Sequence, residues 1–218
     1  VPIIYTTAYT CFGLSCIISP QIPNNAGSLA PFTVSAPVGS ILNAPFPNPV
    51  ATRHVIGQML PDVIFGCLRQ TVPERIPAEG ASCVWSLMLR GLAARRNAID
   101  GGFTITANTN GGTGARPMKD GLSATAYPSG IRGTPIEITE STSPIVYWRK
   151  EYRPNSGGAG KFRGGNGQIV ELSSLDSEPF EILAAFDRID FPPRGQDGGA
   201  DGANGHLSLS SGKVLRGK

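Results

Sequence analysis

The sequence predicts an α+β fold, strand-rich and mixed, with about two helical segments in its first third and long Gly/Pro-rich loops. Helical spacing of apolar residues is confined to residues 3–18 and 52–72, whereas alternating segments dominate after residue 82. This segregation of helices and strands favours α+β over an alternating α/β arrangement. The 28 glycines and 19 prolines are dispersed among apolar runs, which is typical of a loop-rich folded protein.

Each of the two helical segments contains or meets a proline that limits it. In residues 3–18, one helical face collects Ile4, Ala8, Cys11, Phe12 and Ser15. Pro20 and Pro23 end this helix, because proline is not tolerated in a helix interior. In residues 52–72, Pro61 predicts a kink or a division into two shorter helices.

Strands are predicted where apolar and polar residues alternate. The predicted strands are residues 32–36, 82–92, 103–109, 135–141, 145–153 and 168–175, a strand pair over 180–191 and a hairpin over 206–215. Two glycine-rich loops separate them, at residues 110–134 and 192–205. A structureless loop as long as the first is usually functional or mobile.

Charge and apolar pattern exclude two partner classes. The net charge is +3 and the basic residues are scattered, so no basic stripe indicates nucleic-acid binding. Residues 1–18 are apolar but interrupted by threonine and serine, and no basic segment precedes them. We therefore expect neither a signal peptide nor a membrane span.

Cysteine and histidine usage gives no metal signature. The four cysteines, Cys11, Cys16, Cys67 and Cys83, form no C-x-x-C pair, and the chain has two histidines. We expect buried free thiols in a reducing compartment, hence a cytoplasmic location, and no metal held by these residues.

The segment 155–172 raises the question of a phosphate-binding loop, because it combines six glycines with Lys161 and Arg163. The pattern G-x-x-x-x-G-K-[ST] requires glycine at Asn155 and a hydroxyl at Phe162, and it fails at both. A strand follows where a phosphate loop needs a helix. We interpret the segment as a tight connection between strands, with Lys161 and Arg163 as candidates for contact with an anion or a partner carboxylate.

Candidate substrate-binding residues lie at the start of the second helical segment and in the long loop. They are Arg53, His54, Arg116, Asp120 and Arg132. A guanidinium can bind a carboxylate or phosphate through two parallel hydrogen bonds, which suits a loop that closes over a substrate. No G-x-S-x-G elbow is present, so Ser/His/Asp catalysis has no support, and the catalytic residues are not assigned.

Five blocks, in order, resemble the hydantoinase B/oxoprolinase family. They are residues 22–47, 53–68, 111–140, 152–168 and 191–199. The resemblance covers almost the whole chain. It implies a part of the B-type subunit of an ATP-dependent enzyme, either a hydrolase of cyclic amides (hydantoin, 5-oxoproline or lactam) or a ketone carboxylase of the acetone or acetophenone type. A partner A-type subunit would bind ATP and magnesium, and an oligomeric assembly is expected.

The resemblance also implies that residues 1–218 lack an N-terminal half and the metal motifs of the family. Family members are more than twice as long, so we expect a C-terminal portion whose missing N-terminal half holds a divalent metal. The family's metal motifs G-G-T-H-x-x-D and H-H-x-D are absent, and Gly114 stands where the first motif has histidine. A non-catalytic assembly module is therefore a further alternative. We predict one domain over 1–218, with a subdivision near residue 100 into a helix-containing part and a β-rich part.

Overall fold

The computed structural model describes residues 1–92, 102–125, 127–175 and 177–216. The chain divides into two compact units: Val1–Pro77 with Arg116–Met118, and Ala78–Ala115 with Lys119–Lys218. The mixture of helices and small antiparallel sheets confirms the α+β prediction. The predicted subdivision near residue 100 falls outside the described residues and stays a prediction.

The first unit is helical. It contains α1 (Ile3–Ile18), α2 (Ala26–Leu29) and α3 (His54–Leu68), followed by a 3-10 turn. The helix predicted over residues 3–18 is confirmed, but its buried face is only partly the predicted one. Cys11 and Ser15 are buried, whereas Ile4 is 80% exposed. Because α1 carries apolar residues on most sides, its sequence predicts that a helix forms but not which face is buried.

Helices α1 and α3 approach each other through glycines. A Cβ at Gly57 would lie 2.4 Å from the Tyr5 ring, and one at Gly13 would lie 3.1 Å from Pro61 Cα. The alternative of two shorter helices is wrong, because α3 continues through Pro61, whereas the kink stays a prediction. Pro61 is fully buried at the contact with Gly13, so tertiary packing holds the segment in one helix.

Within its described residues, the second unit contains five strands, β1 (Val84–Leu92), β2 (Gly102–Asn110), β3 (Ile145–Tyr152), β4 (Gln168–Ser174) and β5 (Phe180–Ala185), and helix α4 (Ile136–Thr142). One antiparallel sheet has the order β2-β1-β5, and β3 pairs with β4. The hydrophobic core of this unit contains four buried residues, Leu87, Leu89, Ala107 and Ile145. Trp85 stacks on Phe186 with ring centroids 4.1 Å apart.

Three predicted strands differ in the structure. Residues 32–36 alternate between half-buried and exposed, as predicted, but belong to no strand. Residues 135–141 fall mainly in α4: Pro135 occupies its N-cap position without a side-chain hydrogen bond, and Glu137 lies in its first turn, where a negative charge is favourable. Over 180–191 only β5 forms. Such short alternating segments do not reveal whether a partner strand exists.

The remaining predictions of strands and loops are largely confirmed. Strands β1 to β4 lie within or close to the predicted ranges, and residues 206–215 form a turn closed by an antiparallel bridge between Ser208 and Val214. All four cysteines are free, but Cys67 is exposed and Cys16 only half-buried, which corrects the expectation that all are buried. None of the described helices is long and apolar enough to span a bilayer.

Candidate functional site

The glycine-rich loops of the second unit pack backbone against backbone. An added Cβ would lie 1.9 Å from the Gly165 carbonyl oxygen at Gly112, and 1.8 Å from the Ala78 oxygen at Gly114. A carbonyl oxygen thus occupies the place of a side chain. Glycine is required here for this close approach and not for a positive φ angle, since neither residue has one.

The same relation recurs across the neighbouring loops. A Cβ at Gly157 would lie 1.9 Å from the Gly164 oxygen, and one at Gly158 would lie 2.0 Å from the Ala200 oxygen. A Cβ at Gly165 would lie 2.1 Å from the Leu122 oxygen. We call the loops joined in this way the glycine network; they are residues 78–81, 111–115, 120–125, 156–167 and 195–203.

Backbone hydrogen bonds hold the glycine network together. The Gly165 N–H donates to the Thr113 oxygen at 2.9 Å, and the Gly121 N–H donates to the Arg163 oxygen at 2.7 Å. The Ala200 N–H donates to the Ala159 oxygen at 2.8 Å. The segment that resembled a phosphate loop therefore uses backbone groups of Ala159, Arg163 and Gly165 to bond to other loops of the protein. The interpretation of its glycines as a means of close backbone approach agrees with this geometry.

Short polar side chains accept hydrogen bonds from further N–H groups of the network. The Ser123 hydroxyl accepts from the Asn166 N–H at 2.9 Å, and the Ser156 hydroxyl accepts from the Gly167 N–H at 2.8 Å. Asp120 Oδ1 accepts from the Arg163 N–H at 2.8 Å. These side chains act as hydrogen-bond acceptors in place of backbone carbonyls, because an N–H that is removed from water without an acceptor costs free energy.

Glu79 connects the start of the network to its last loop. Arg194 donates to this carboxylate through its side chain, with Nε 2.8 Å from Oε1, and through its backbone N–H at 3.2 Å. Arg188 Nη1 lies 3.3 Å from Oε2. Burial alone would raise the pKa of Glu79, but the hydrogen bonds from Arg194 and the charges of both arginines outweigh it and lower this pKa.

Of the predicted site residues, the structure joins Asp120 to Arg163 through the backbone bond described above. Lys161 is exposed, with its Nζ 5.6 Å from the centroid of the Phe162 ring. Arg132 is exposed in the loop before α4. The role of Arg132 in binding substrate stays a prediction.

The other predicted residues lie in the first unit. Arg53 precedes α3 and places its guanidinium 5.4 Å from the centroid of the Tyr5 ring. His54 is the first residue of α3 and is half-buried, as is Arg116. Their proposed contact with a substrate stays a prediction.

Comparison with known proteins identifies the family. A model of hydantoinase B/oxoprolinase matches residues 1–217. The chain belongs to the hydantoinase B/oxoprolinase family.

Three relatives of this hydantoinase B-family chain illustrate the match. A candidate B-type subunit of a D-/L-hydantoinase from Pseudomonas sp. strain NS671 is 34% identical over 87% of this chain and 31% of that protein. The 5-oxoprolinase of Dictyostelium discoideum is 32% identical over 94% of this chain and 15% of that protein. The crystal structure of ATP-dependent caprolactamase from Pseudomonas jessenii matches with a TM-score of 0.68 and 27% identity, over 84% of this chain and 32% of that chain. The chain therefore spans about a third or less of these relatives.

The divalent metal implied by the family resemblance does not fit the described part of this hydantoinase B-family chain. Within residues 1–92, 102–125, 127–175 and 177–216, no group of three or more His, Cys, Asp and Glu side chains could hold a metal ion. Glu79 is occupied by two arginines, and Asp120 accepts a backbone N–H. We therefore assign no reaction step through a metal to these residues.

Sequence reasoning missed the ion-pair group of Glu79, Arg188 and Arg194. Glu79 and Arg194 are 115 positions apart, and no local spacing relates them. The only signal was that Arg194 falls inside the block 191–199, which resembles the family. A resemblance of this kind marks a residue as worth attention without giving its partner.

Proposed function

We propose that the chain is part of the B-type subunit of an ATP-dependent hydrolase of cyclic amides, acting with an A-type subunit that binds ATP and magnesium. The family match over residues 1–217 carries this proposal. The similarity to ATP-dependent caprolactamase and to a 5-oxoprolinase supports the substrate class, because both names denote hydrolysis of a cyclic amide.

In this proposal, the glycine network holds the side chains of its loops in position and takes no part in the reaction. Its amides and short polar side chains are bonded to one another, which leaves the exposed charged side chains of its loops to meet other molecules. Loops on a rigid base are where binding residues concentrate. We expect the divalent metal and the catalytic groups to come from sequence outside residues 1–218.

The test is a product assay on the natural polypeptide that contains residues 1–218, together with its A-type partner. Hydantoin, 5-oxoproline and ε-caprolactam are each incubated with ATP and a divalent metal, and ring-opened product and ADP are quantified. We expect ring opening of at least one substrate, dependent on ATP and on both subunits. Bicarbonate-dependent carboxylation of acetone or acetophenone, without ring opening, would instead establish the carboxylase alternative.

A non-catalytic assembly module is the second candidate, favoured by the lack of a metal-holding group in the described residues. Residues 1–218 expressed alone test the module hypothesis. Bound metal with turnover would overturn the module. A folded fragment without turnover that restores activity when mixed with the rest of the complex would support it.

A further inference from the structure

We propose that an uncharged apolar surface at the start of α1 is covered by the part of the same polypeptide that lies outside residues 1–218. This surface, which we call the apolar patch, consists of Ile4 in α1 and of Val38, Ile41 and Phe46 in the loop between α2 and α3. The proposal goes beyond the proposed function, because it concerns the assembly of the subunit and is independent of the reaction.

The four side chains of the apolar patch are directed mainly into solvent. Phe46 is 99% exposed, and the other three are 66% exposed or more. A phenylalanine that becomes buried removes about 150–250 Å² of surface from water. Single exposed apolar residues are normal on a protein surface, whereas a group of them marks a contact surface.

Hydrogen bonds hold the loop against the start of α1. The Ala44 N–H donates to the Val1 oxygen at 2.8 Å, and the Thr6 hydroxyl donates to the Leu42 oxygen at 2.7 Å. The Val1 nitrogen donates to the Ile41 oxygen. Every residue of the apolar patch lies within three positions of one of these bonded residues, a span of at most about 11 Å. The four residues therefore belong to one region of the surface.

The sequence that forms the apolar patch contains no charged residue. All 19 Lys and Arg residues, all 16 Asp and Glu residues and both histidines follow residue 52. Charged residues make up 16% of the whole chain and about 25% of an average domain, so their absence over this length is unusual. Charged side chains keep a free surface soluble and are depleted at the buried centre of an interface. The composition is therefore that of a contact surface.

Two observations favour the same polypeptide as the occupant. The chain spans 31% of the hydantoinase subunit and 32% of the caprolactamase chain described above, so a subunit of that length has ample further sequence. Val1 is itself bonded within this region, so any sequence that precedes it begins beside the apolar patch. A tether of this kind keeps a segment at high local concentration. Permanent contacts are also more apolar than transient ones.

Photo-crosslinking identifies the occupant. In the natural polypeptide that contains residues 1–218, p-benzoylphenylalanine replaces Phe46 in one variant and Ile41 in another. Each variant is irradiated with and without the purified A-type subunit, and mass spectrometry of tryptic peptides identifies the crosslinked segment. We expect crosslinks to peptides of the same polypeptide outside residues 1–218, in both conditions and without a crosslinked dimer on a denaturing gel.

Phe191 provides the matched control for a second measurement. It is also an exposed phenylalanine, but Asp190 and Arg194 are close to it in sequence. We expect Phe46→Asp to lower the thermal midpoint of the natural polypeptide by about 3 °C or more, because a carboxylate would be buried without a partner. Phe191→Asp should change it by less than about 1 °C. Because Phe46 contacts little within residues 1–218, the loss must come from further sequence.

Four results would overturn the proposal: crosslinks to the A-type subunit, crosslinks to a second copy of the chain, the absence of crosslinks outside residues 1–218, or equal shifts in the two aspartate variants. None of these measurements uses turnover. Ring opening, assayed on the wild-type complex, decides the proposed function separately, so either proposal can fail without the other.

Discussion

The sheet and the glycine network lie in the same unit but are packed by opposite means. In the core formed by the strands, side chains fill the interior, with Leu89 of β1 and Ile145 of β3 almost completely buried. In the network, a carbonyl oxygen stands where a side chain would be, as at Gly112 and Gly165. A side-chain core can absorb a change of shape by repacking, whereas two backbones in contact have no flexible group to move. The two regions should therefore respond differently to substitution.

The largest effect is expected where the network admits no side chain. In Gly112→Ala, the new methyl would lie 1.9 Å from a backbone oxygen, so two loops must separate. We expect the free energy of unfolding to fall by about 4 kcal/mol or more, since backbone displacement exceeds ordinary overpacking. Guanidinium unfolding measures the loss, and hydrogen exchange over 111–115 locates it.

Gly133→Ala is the matched control, because the nearest atom to its methyl is the flexible Lys150 Nζ at 3.9 Å. Its stability should stay within about 0.5 kcal/mol of wild type. An equally stable Gly112→Ala protein would show that the network loops are not in contact.

Truncation in the sheet tests the other kind of packing. Leu89 is 0% exposed, and Leu89→Ala should lower the free energy of unfolding by about 3 kcal/mol through lost burial and a cavity. Leu183→Ala, at a residue 46% exposed, should cost less than about 1 kcal/mol. Both are read by denaturant unfolding. A Leu89→Ala loss no larger than that of Leu183→Ala would contradict the assignment of the core.

We expect the ion-pair group of Glu79 to give the network a stronger pH dependence than the exposed Arg90–Glu181 pair gives the sheet. The folded pKa of Glu79 is lowered, so its stabilisation is present above the unfolded value, about 4.3 for glutamate, and is lost as pH falls through the folded pKa. Glu79→Gln should lower stability at pH 7 by about 2 kcal/mol, because two arginines lose their carboxylate. It should also flatten the decline of stability below pH 5.

Thermal unfolding from pH 3 to 7 checks this expectation. Glu181→Gln is the control, since Glu181 pairs with Arg90 at the surface and should leave the profile almost unchanged. If the Glu79→Gln protein kept the wild-type pH profile, the group would not couple to folding.

The smallest expected effect is a gain in stability. It is expected at a glycine with open space around it, in contrast to the glycines in close backbone contact. Gly66 lies inside α3 with no atom within 4 Å of an added Cβ. Gly66→Ala should raise stability by about 0.5–1 kcal/mol, because alanine loses less backbone entropy in a helix. A rise in the thermal midpoint would support this, and a fall would reveal a contact at this helix face.

The sequence predicted the fold to the extent that local pattern decides it. Strands β1 to β4 and helix α1 follow from alternation and spacing. Helix α4 was wrongly predicted as a strand because seven residues satisfy both patterns. In the structure, the hydroxyls of Ser141 and Thr142 donate to the carbonyls of Ile138 and Thr139. Residues 32–36 alternate correctly but lack a partner, which no local pattern reveals.

For the candidate site, the sequence predicted that the glycines have a structural role but not which residues they contact. The failure of the phosphate-loop pattern at Asn155 and Phe162 led to a structural interpretation of the glycines. Which loops those glycines contact could not be predicted, because Gly158 meets Ala200 and Gly165 meets Leu122 across long stretches of chain. The pairing is decided by the fold as a whole.

The close backbone contacts also bear on how this family can diverge. Surface loops usually change fastest among homologous proteins because their side chains face water. Here a loop residue such as Gly112 has one acceptable side chain, a hydrogen atom, whereas a strand residue such as Leu183 tolerates several. In a saturation library, we expect the intolerant positions to lie in the loops. The loop segments would then identify members of the family better than the strands do. The strands would accept more designed substitutions.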